Sequence, residues 1–264
     1  MVDINKNSPP PLQSQNPYQA PTSAMQMAVS YDNELIDPQR LSIGAGWSWI
    51  SDAWQIFKAA IGTWLLSVLI MLVVGIIVAI IPVLQLLSGA LNVFFMAGVA
   101  YMAHKIVNDE PISVGDLLIG LQKNTLQLFL VFVFGAVAMI VIIGLLIILG
   151  LVFGLGFSSF LSQNTSLMIM LLMVLIALAL LIPVYMAMWF APVLVILHDR
   201  PATEAMKLSF FACLRNLLPF LWYGIVLGLF MLLALLPLGL GVFITLPLMM
   251  ISCYTAYRQI MTRI

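Results

Sequence analysis

TLQLFLVFVFGAVAMIVIIGLLIILGLVFGLGF, residues 125–157, decides what kind of molecule this is. These 33 residues carry no charge, and Leu, Ile, Val and Phe follow one another without the period-2 alternation of a barrel strand. About 20 apolar residues cross ~30 Å of hydrocarbon as a helix. In lipid the backbone amides must pair within their own segment, so a run of this length predicts a membrane-spanning helix.

Working outward, the whole charge-free stretch extends from Asn124 to His198, and two more run from Ala59 to His104 and from Asn216 to Tyr257. The outer two are each divided by short breaks at Pro82–Ser88 and Pro237–Gly241. The central one is divided by the polar stretch Ser158–Ser166 into two over-long helices that tilt or project beyond the bilayer, four shorter spans being the alternative. The expected fold is all-α, with six spans at about 59–83, 86–106, 125–157, 167–197, 217–236 and 239–260, arranged as three hairpins. Pro183 and Pro247 fall inside the fourth and sixth and predict kinks.

Composition agrees. Of 264 residues 63% are apolar and 8% charged, ten basic and ten acidic, with a mean hydropathy of +1.14. Twenty charges cannot cover the surface of a soluble protein of 29.1 kDa. A chain this apolar is not a disordered polymer, and zero net charge lacks the basic footprint of a nucleic-acid binder.

With six spans, all ten Lys and Arg fall on one face: Lys6, Arg40 and Lys58, then Lys105 and Lys123, then Arg200, Lys207 and Arg215, then Arg258 and Arg263. The positive-inside rule puts that face and both termini in the cytoplasm. The six tryptophans lie on or near the same side, as an interfacial belt does. Residues 1–40 are rich in Pro, Gln, Asn and Ser and read as a disordered cytoplasmic tail. Within it, Asn16-Pro17-Tyr18-Gln19-Ala20-Pro21 is a candidate docking motif for a protein partner, set against the plainer reading of a Pro-rich spacer.

An amphipathic helix on the cytoplasmic side is expected before each hairpin, lying in the headgroup layer with its apolar face down. The first has the stripe Ile50, Ala53, Trp54, Phe57 and Ile61; the second has Val114, Leu117, Leu118 and Leu121 opposite Asp116 and Lys123, after a Ser113-x-x-Asp116 start. The third, 201–216, has Met206, Phe210, Cys213 and Leu217. The junctions Asp109-Glu110-Pro111-Ile112-Ser113 and Asp199-Arg200-Pro201-Ala202-Thr203 share the pattern acid, x, Pro, x, Ser/Thr, with His104 and His198 closing the preceding helices. A duplicated hairpin unit accounts for this economically.

Three motifs carry a family likeness. They are Gly44-Ala45-Gly46-Trp47-Ser48-Trp49-Ile50-x-x-Ala53-Trp54-x-x-Phe57, Ala191-Pro192-Val193-Leu194, and Ala205-x-x-x-Ser209-Phe210-x-Ala212-Cys213-x-Arg215-Asn216-x-x-Pro219-Phe220. In these the chain resembles uncharacterised bacterial six-span inner-membrane proteins, themselves similar to the YciC-like proteins and to the membrane domain of glycerophosphodiester phosphodiesterases. The resemblance covers about residues 41–264 and implies a fold and a bacterial inner membrane. It carries no catalytic residues.

The chemistry on offer is sparse. No span contains an ionisable group, which argues against an ion-coupled carrier. Asn92 is the polar residue deepest in a span, and a helix–helix hydrogen bond is its expected role. Gly150-x-x-x-Gly154 and Gly224-x-x-x-Gly228 predict close helix packing within the monomer. His104, His198 and Asp199 form a polar cluster that suits a metal or acid–base work, although the spacing matches no metal motif. No metal or cofactor is expected, and the two lone cysteines suggest no disulfide. Trp49, Trp54, Phe57, Lys58, Lys123, Lys207 and Arg215 are the candidates for contact with lipid headgroups. The function expected first is a non-enzymatic scaffold that organises the envelope through its interfacial helices, with membrane lipids and a protein held by the tail as partners. The alternative is a passive carrier or channel for an apolar or lipid-like substrate. An intramembrane enzyme built on the two histidines is a third reading.

Overall fold

The computed structural model describes residues 34–157, 163–236 and 239–263. The candidate docking motif at 16–21 lies outside them. Apart from one isolated bridge between Leu35 and Thr262, the regular structure among the described residues is helical. In chain order the helices are α1 (Ala45–Ala59), α2 (Ile61–Ile80), α3 (Pro82–Gln85), α4 (Ser88–Val107), a 3-10 helix (Val114–Leu121), α5 (Thr125–Phe157), α6 (Gln163–Trp189), α7 (Ala191–His198), α8 (Ala202–Arg215), α9 (Leu217–Leu235) and α10 (Val242–Met261).

Among the described residues, five stretches are long and apolar enough to cross a membrane: Ile61–Ile80, Ser88–Val107, Thr125–Val152, Met170–His198 and Leu217–Leu235. Helix α10, expected as a sixth span, is not among them. Its C-terminal half carries Ser252, Tyr254, Thr255, Tyr257, Arg258 and Gln259, which lower its apolarity. Most of that polar half is buried by protein, because α1, α2, α4 and α9 pack around it.

The interfacial helices differ from expectation in three ways, each with a local cause. Helix α1 does not lie on the domain with its stripe toward lipid. It folds inward against α9 and α10, burying Trp49, Ile50, Ala53, Ile56 and Phe57, while Trp54 stays 39% exposed at the edge. Gly46 allows this: a Cβ there would come within 2.5 Å of the Pro219 carbonyl oxygen. Trp49 then packs at a tilt against Phe220 and Tyr223, with ring centroids 5.0 and 5.8 Å away.

The second segment is a 3-10 helix, and its period of three changes the face it buries. Leu117 and Gly120 point inward, whereas Leu118 and Leu121 are 45% and 55% exposed. The Ser113-x-x-Asp116 start is the capping box expected of it, with the Ser113 N–H donating to the Asp116 carboxylate at 2.7 Å. This helix rides directly on α4 at Gly98, where an added Cβ would stand 2.0 Å from the Leu117 carbonyl oxygen.

Helix α8 buries the small side chains Ala205, Ser209 and Ala212 with Cys213, about one position round from the bulky stripe expected. The reason lies in α6. The fourth span is not continuous but breaks at Phe190, two residues before Pro192, which has no N–H to give and whose ring crowds the preceding turn. Pro183 lies inside α6. At the break the Phe190 N–H donates to Ser209 Oγ (2.9 Å), and Ser209 Oγ donates to the Met186 carbonyl (2.6 Å). Cys253 Sγ turns to the Trp189 carbonyl at 3.4 Å. Backbone groups freed in an apolar setting need such partners, and small residues bring α8 close enough to supply them.

Of the glycines expected to bring helices together inside the monomer, Gly154 lies outside the residues whose side-chain surroundings are described, and the others do not do so among the described residues. Gly150, Gly224 and Gly228 have nothing within 4 Å of an added Cβ. Close approach occurs instead at Gly46, Gly98 and Gly241, the last facing Ala234.

The N-terminal tail was expected to be disordered through residue 40. Residues 34–41 instead run as a strap over the end of α10, the Ile36 and Gln39 N–H groups donating to the Met261 and Ile260 carbonyls at 2.8 and 2.9 Å. Fully buried Asn216 holds the strap from the other side, accepting from the Leu41 N–H and donating to the Gln39 carbonyl, both at 2.8 Å.

Candidate functional site

The two junctions that looked alike in sequence end their helices in the same way. Asp109 and Asp199 both take a left-handed conformation (φ 56° and 53°), which Asp tolerates better than most residues, and Pro111 and Pro201 then prevent the helix from resuming. His104 is one turn before the end of α4, and His198 is the last residue of α7. Packing of α4 on α7 and α10 brings the two imidazoles to one pocket.

That pocket has a volume of about 180 Å³ and is lined by His104, Val107, Asn108, Leu197, His198, Tyr254, Tyr257, Arg258 and Thr262. Each histidine is paired with a tyrosine of α10. His104 Nδ1 is 3.1 Å from the Tyr254 hydroxyl, and His198 Nε2 is hydrogen-bonded to the Tyr257 hydroxyl. Asn108 Nδ2 lies 3.1 Å from His104 Nε2. Arg258 is half-buried, and its guanidinium makes no ion pair or hydrogen bond among the described residues.

Asp199, expected as a third member of the histidine cluster, turns away. Its carboxylate accepts from Asn124 Nδ2 (2.6 Å) and from Lys123 Nζ (3.2 Å). The Asn124 amide, with Lys123 beside it, holds the Asp199 carboxyl below its ordinary value although partial burial pulls the other way. Lys123 and Asn124 also donate to the Ile196 and Val195 carbonyls at 3.1 and 2.9 Å, so they cap the C-terminus of α7 where a cation meets the helix dipole. Among the described residues no group of three His, Cys, Asp or Glu is placed to hold a metal.

The remaining candidates separate by where their side chains go. Trp49 and Phe57 are core residues, 0% and 2% exposed, and do not reach a headgroup. Arg215 donates to the Pro38 carbonyl at 2.8 Å and fastens the strap. Trp54, Lys58 and Lys207 are exposed. Burial pushes the Cys213 thiol up to about 12, which keeps it protonated and unreactive.

Asn92 makes no helix–helix hydrogen bond among the described residues. Its side chain lines a second, larger cavity of about 490 Å³ between α2, α4, α6, α7 and α10. Met71, Met96, Met188, Met249 and Met250 form much of the wall, with Val68, Leu72, Val93, Pro192 and Leu246. Tyr185, Trp189 and Cys253 add the other polar atoms, and the buried Trp189 indole N–H has no acceptor among the described residues.

Sequence reasoning found the two histidines and Asn92. It missed Tyr254, Tyr257 and Arg258, although their i, i+3, i+4 spacing places them on one helix face. It also took the methionines for general packing, because their convergence comes from four separate helices.

The family motifs prove to be one packing knot: Gly46 against Pro219, Trp49 and Phe190 against Phe220, Ser209 at the Phe190 break, and Asn216 on the strap. No curated protein and no solved structure matches the chain. A family model does match residues 42–262, and the chain therefore belongs to the family described as a domain of unknown function (DUF7847).

Proposed function

We propose that this is a bacterial inner-membrane protein of six spans in three hairpins, both termini cytoplasmic, which takes an apolar or lipid-like molecule into the methionine-lined cavity without catalysing a reaction on it. The likeness to YciC-like proteins belongs to the same proposal. The observation that carries it is the cavity. Its volume of about 490 Å³ lies within the usual range of small-molecule sites, and its wall is almost wholly apolar and free of charge. Unbranched thioether side chains adapt to ligands of irregular shape. Asn92, on the cavity wall, supplies a polar handle that orients a ligand.

A surface-organising role is the second reading. It is supported by the outer face of α1, where Trp47 and Trp54 are 53% and 39% exposed beside Lys58. That face suits the headgroup layer, while Trp49 and Phe57 contribute nothing to it.

The test is mass spectrometry of an organic extract of the purified protein after detergent exchange. One apolar species retained at about one per chain is expected. Met96→Trp, which places an indole in the cavity, should lose that species, and Leu232→Trp on the exposed side of α9 should keep it. Absence of any retained species in the wild type, or equal retention in both variants, overturns the reading.

A further inference from the structure

We propose that the pocket between α4, α7 and α10 is a binding site for a phosphate-type oxyanion, either free phosphate and its monoesters or the headgroup of a phosphomonoester lipid. The argument begins with charge. Arg258 is the fixed cation of the pocket wall, half-buried and without an ion-pair partner among the described residues. The nearby carboxylates do not neutralise it: Asp199 is held by Lys123 and Asn124, and Glu110 is exposed. A partly desolvated guanidinium with an unused fork of donors is matched by the geometry of phosphate oxygens.

The histidines and tyrosines extend that donor set. Asn108 Nδ2 donates to His104 Nε2, so neutral His104 carries its proton on Nδ1 and donates it to the Tyr254 oxygen. The Tyr254 O–H is then free to donate into the pocket. One turn further along α10, Tyr257 is hydrogen-bonded to His198 Nε2. Arg258 and Tyr254 present donors from one face of α10, and the Asn108 amide lines the same pocket from the end of α4, a set that suits an anion with several acceptor oxygens. A volume of about 180 Å³ holds such a group with some of its water. The site stands on its own residues and is independent of the apolar cavity.

The chain has two histidines, and both line the pocket, so they serve as reporters. Protein labelled with 15N in histidine is titrated in detergent with inorganic phosphate and with glycerol 3-phosphate, against chloride at equal ionic strength. A second arm uses nanodiscs of phosphatidylcholine with and without phosphatidic acid. A saturable shift of both imidazole signals is expected from at least one source. Soluble ligands alone acting identifies free phosphate compounds, and phosphatidic acid alone acting identifies the lipid headgroup.

Arg258→Gln should weaken the response about tenfold or more, the loss expected for a charge-assisted hydrogen bond, with Arg258→Lys recovering part of it. Lys207→Gln, exposed and remote, should change nothing. If Arg258→Gln does not fold, Tyr254→Phe removes a single donor and should weaken binding about threefold. No response beyond chloride in either arm overturns the proposal. So does a response that survives unchanged in the folded Arg258→Gln or in Tyr254→Phe.

Discussion

Helices α5 and α6 differ from α4 and α10 in a way that reverses the rule for soluble proteins. The spans containing α5 and α6 have mean hydropathies of 3.2 and 2.7, yet 17% and none of their most apolar windows is buried. Helix α4 has a mean hydropathy of 1.4 and is 44% buried, and α10, too polar to qualify as a span by composition, is largely enclosed. Hydrocarbon is as apolar as leucine, so nothing drives Leu and Ile away from it. What the protein interior offers instead is close packing for small side chains and partners for polar ones. Ala97, Gly98, Ala100 and Ala103 of α4 and Ser252, Thr255 and Tyr257 of α10 are therefore inside.

The largest test of that contrast compares two glycines. Gly98→Ala pushes a methyl group against the Leu117 backbone and should destabilise the protein by about 3 kcal/mol or more. Gly144→Ala, on α5 with nothing within 4 Å, should stay within about 0.5 kcal/mol of wild type. Thermal unfolding in detergent measures both. Equal losses would mean that α5 is as tightly packed as α4, and the contrast would be gone.

Next in size is Ser209→Ala. It strips the Phe190 N–H of its partner where the backbone is interrupted and leaves the Met186 carbonyl only the weak Cys213 Sγ donor at 3.6 Å, and about 2 kcal/mol should be lost. Enhanced amide exchange should be confined to residues around 186–194. Exchange spread evenly along α6 would show instead that the lipid-facing helix depends on this one hydroxyl throughout.

The smallest effect belongs to Asp116 in the capping box beside α4. Burial raises its carboxyl, but the Ser113 N–H, Lys105 and the Ser113 hydroxyl hold it below its ordinary 3.8 overall. A depressed acid contributes stability above its unfolded value and loses it as pH falls through the folded one. Asp116→Asn should therefore cost about 1 kcal/mol at neutral pH, and the gap to wild type should close as the solution is acidified below pH 3.8. A gap that persists in acid would assign the cap to shape rather than charge.

The helices themselves were legible from the absence of charge, and the run read from residue 125 begins where α5 begins. Their packing was not. A stripe read at 3.6 residues per turn cannot anticipate a 3-10 helix, which separates buried Leu117 from Leu118 and Leu121, exposed members of the same expected stripe. The break at Phe190 follows from Pro192 but is stabilised by Ser209, which comes from another helix. For the site, His104 and His198 were visible as helix-ending residues, whereas the pocket they share is made by α10, whose contribution depends on long-range contact. Arg258 was counted among the charges that set topology, and its lack of a partner among the described residues is a fact of three dimensions.

The strap over α10 imposes an order of events on biogenesis. Its acceptors, the carbonyls of Ile260 and Met261, do not exist until α10, the last of the described helices, has been synthesised. Residues 34–41 therefore wait, unlatched, while the rest of the domain inserts, and their docking is a late step that registers the arrival of α10. A ribosome stalled before residue 260 should leave this segment open to protease, whereas completed chains should protect it.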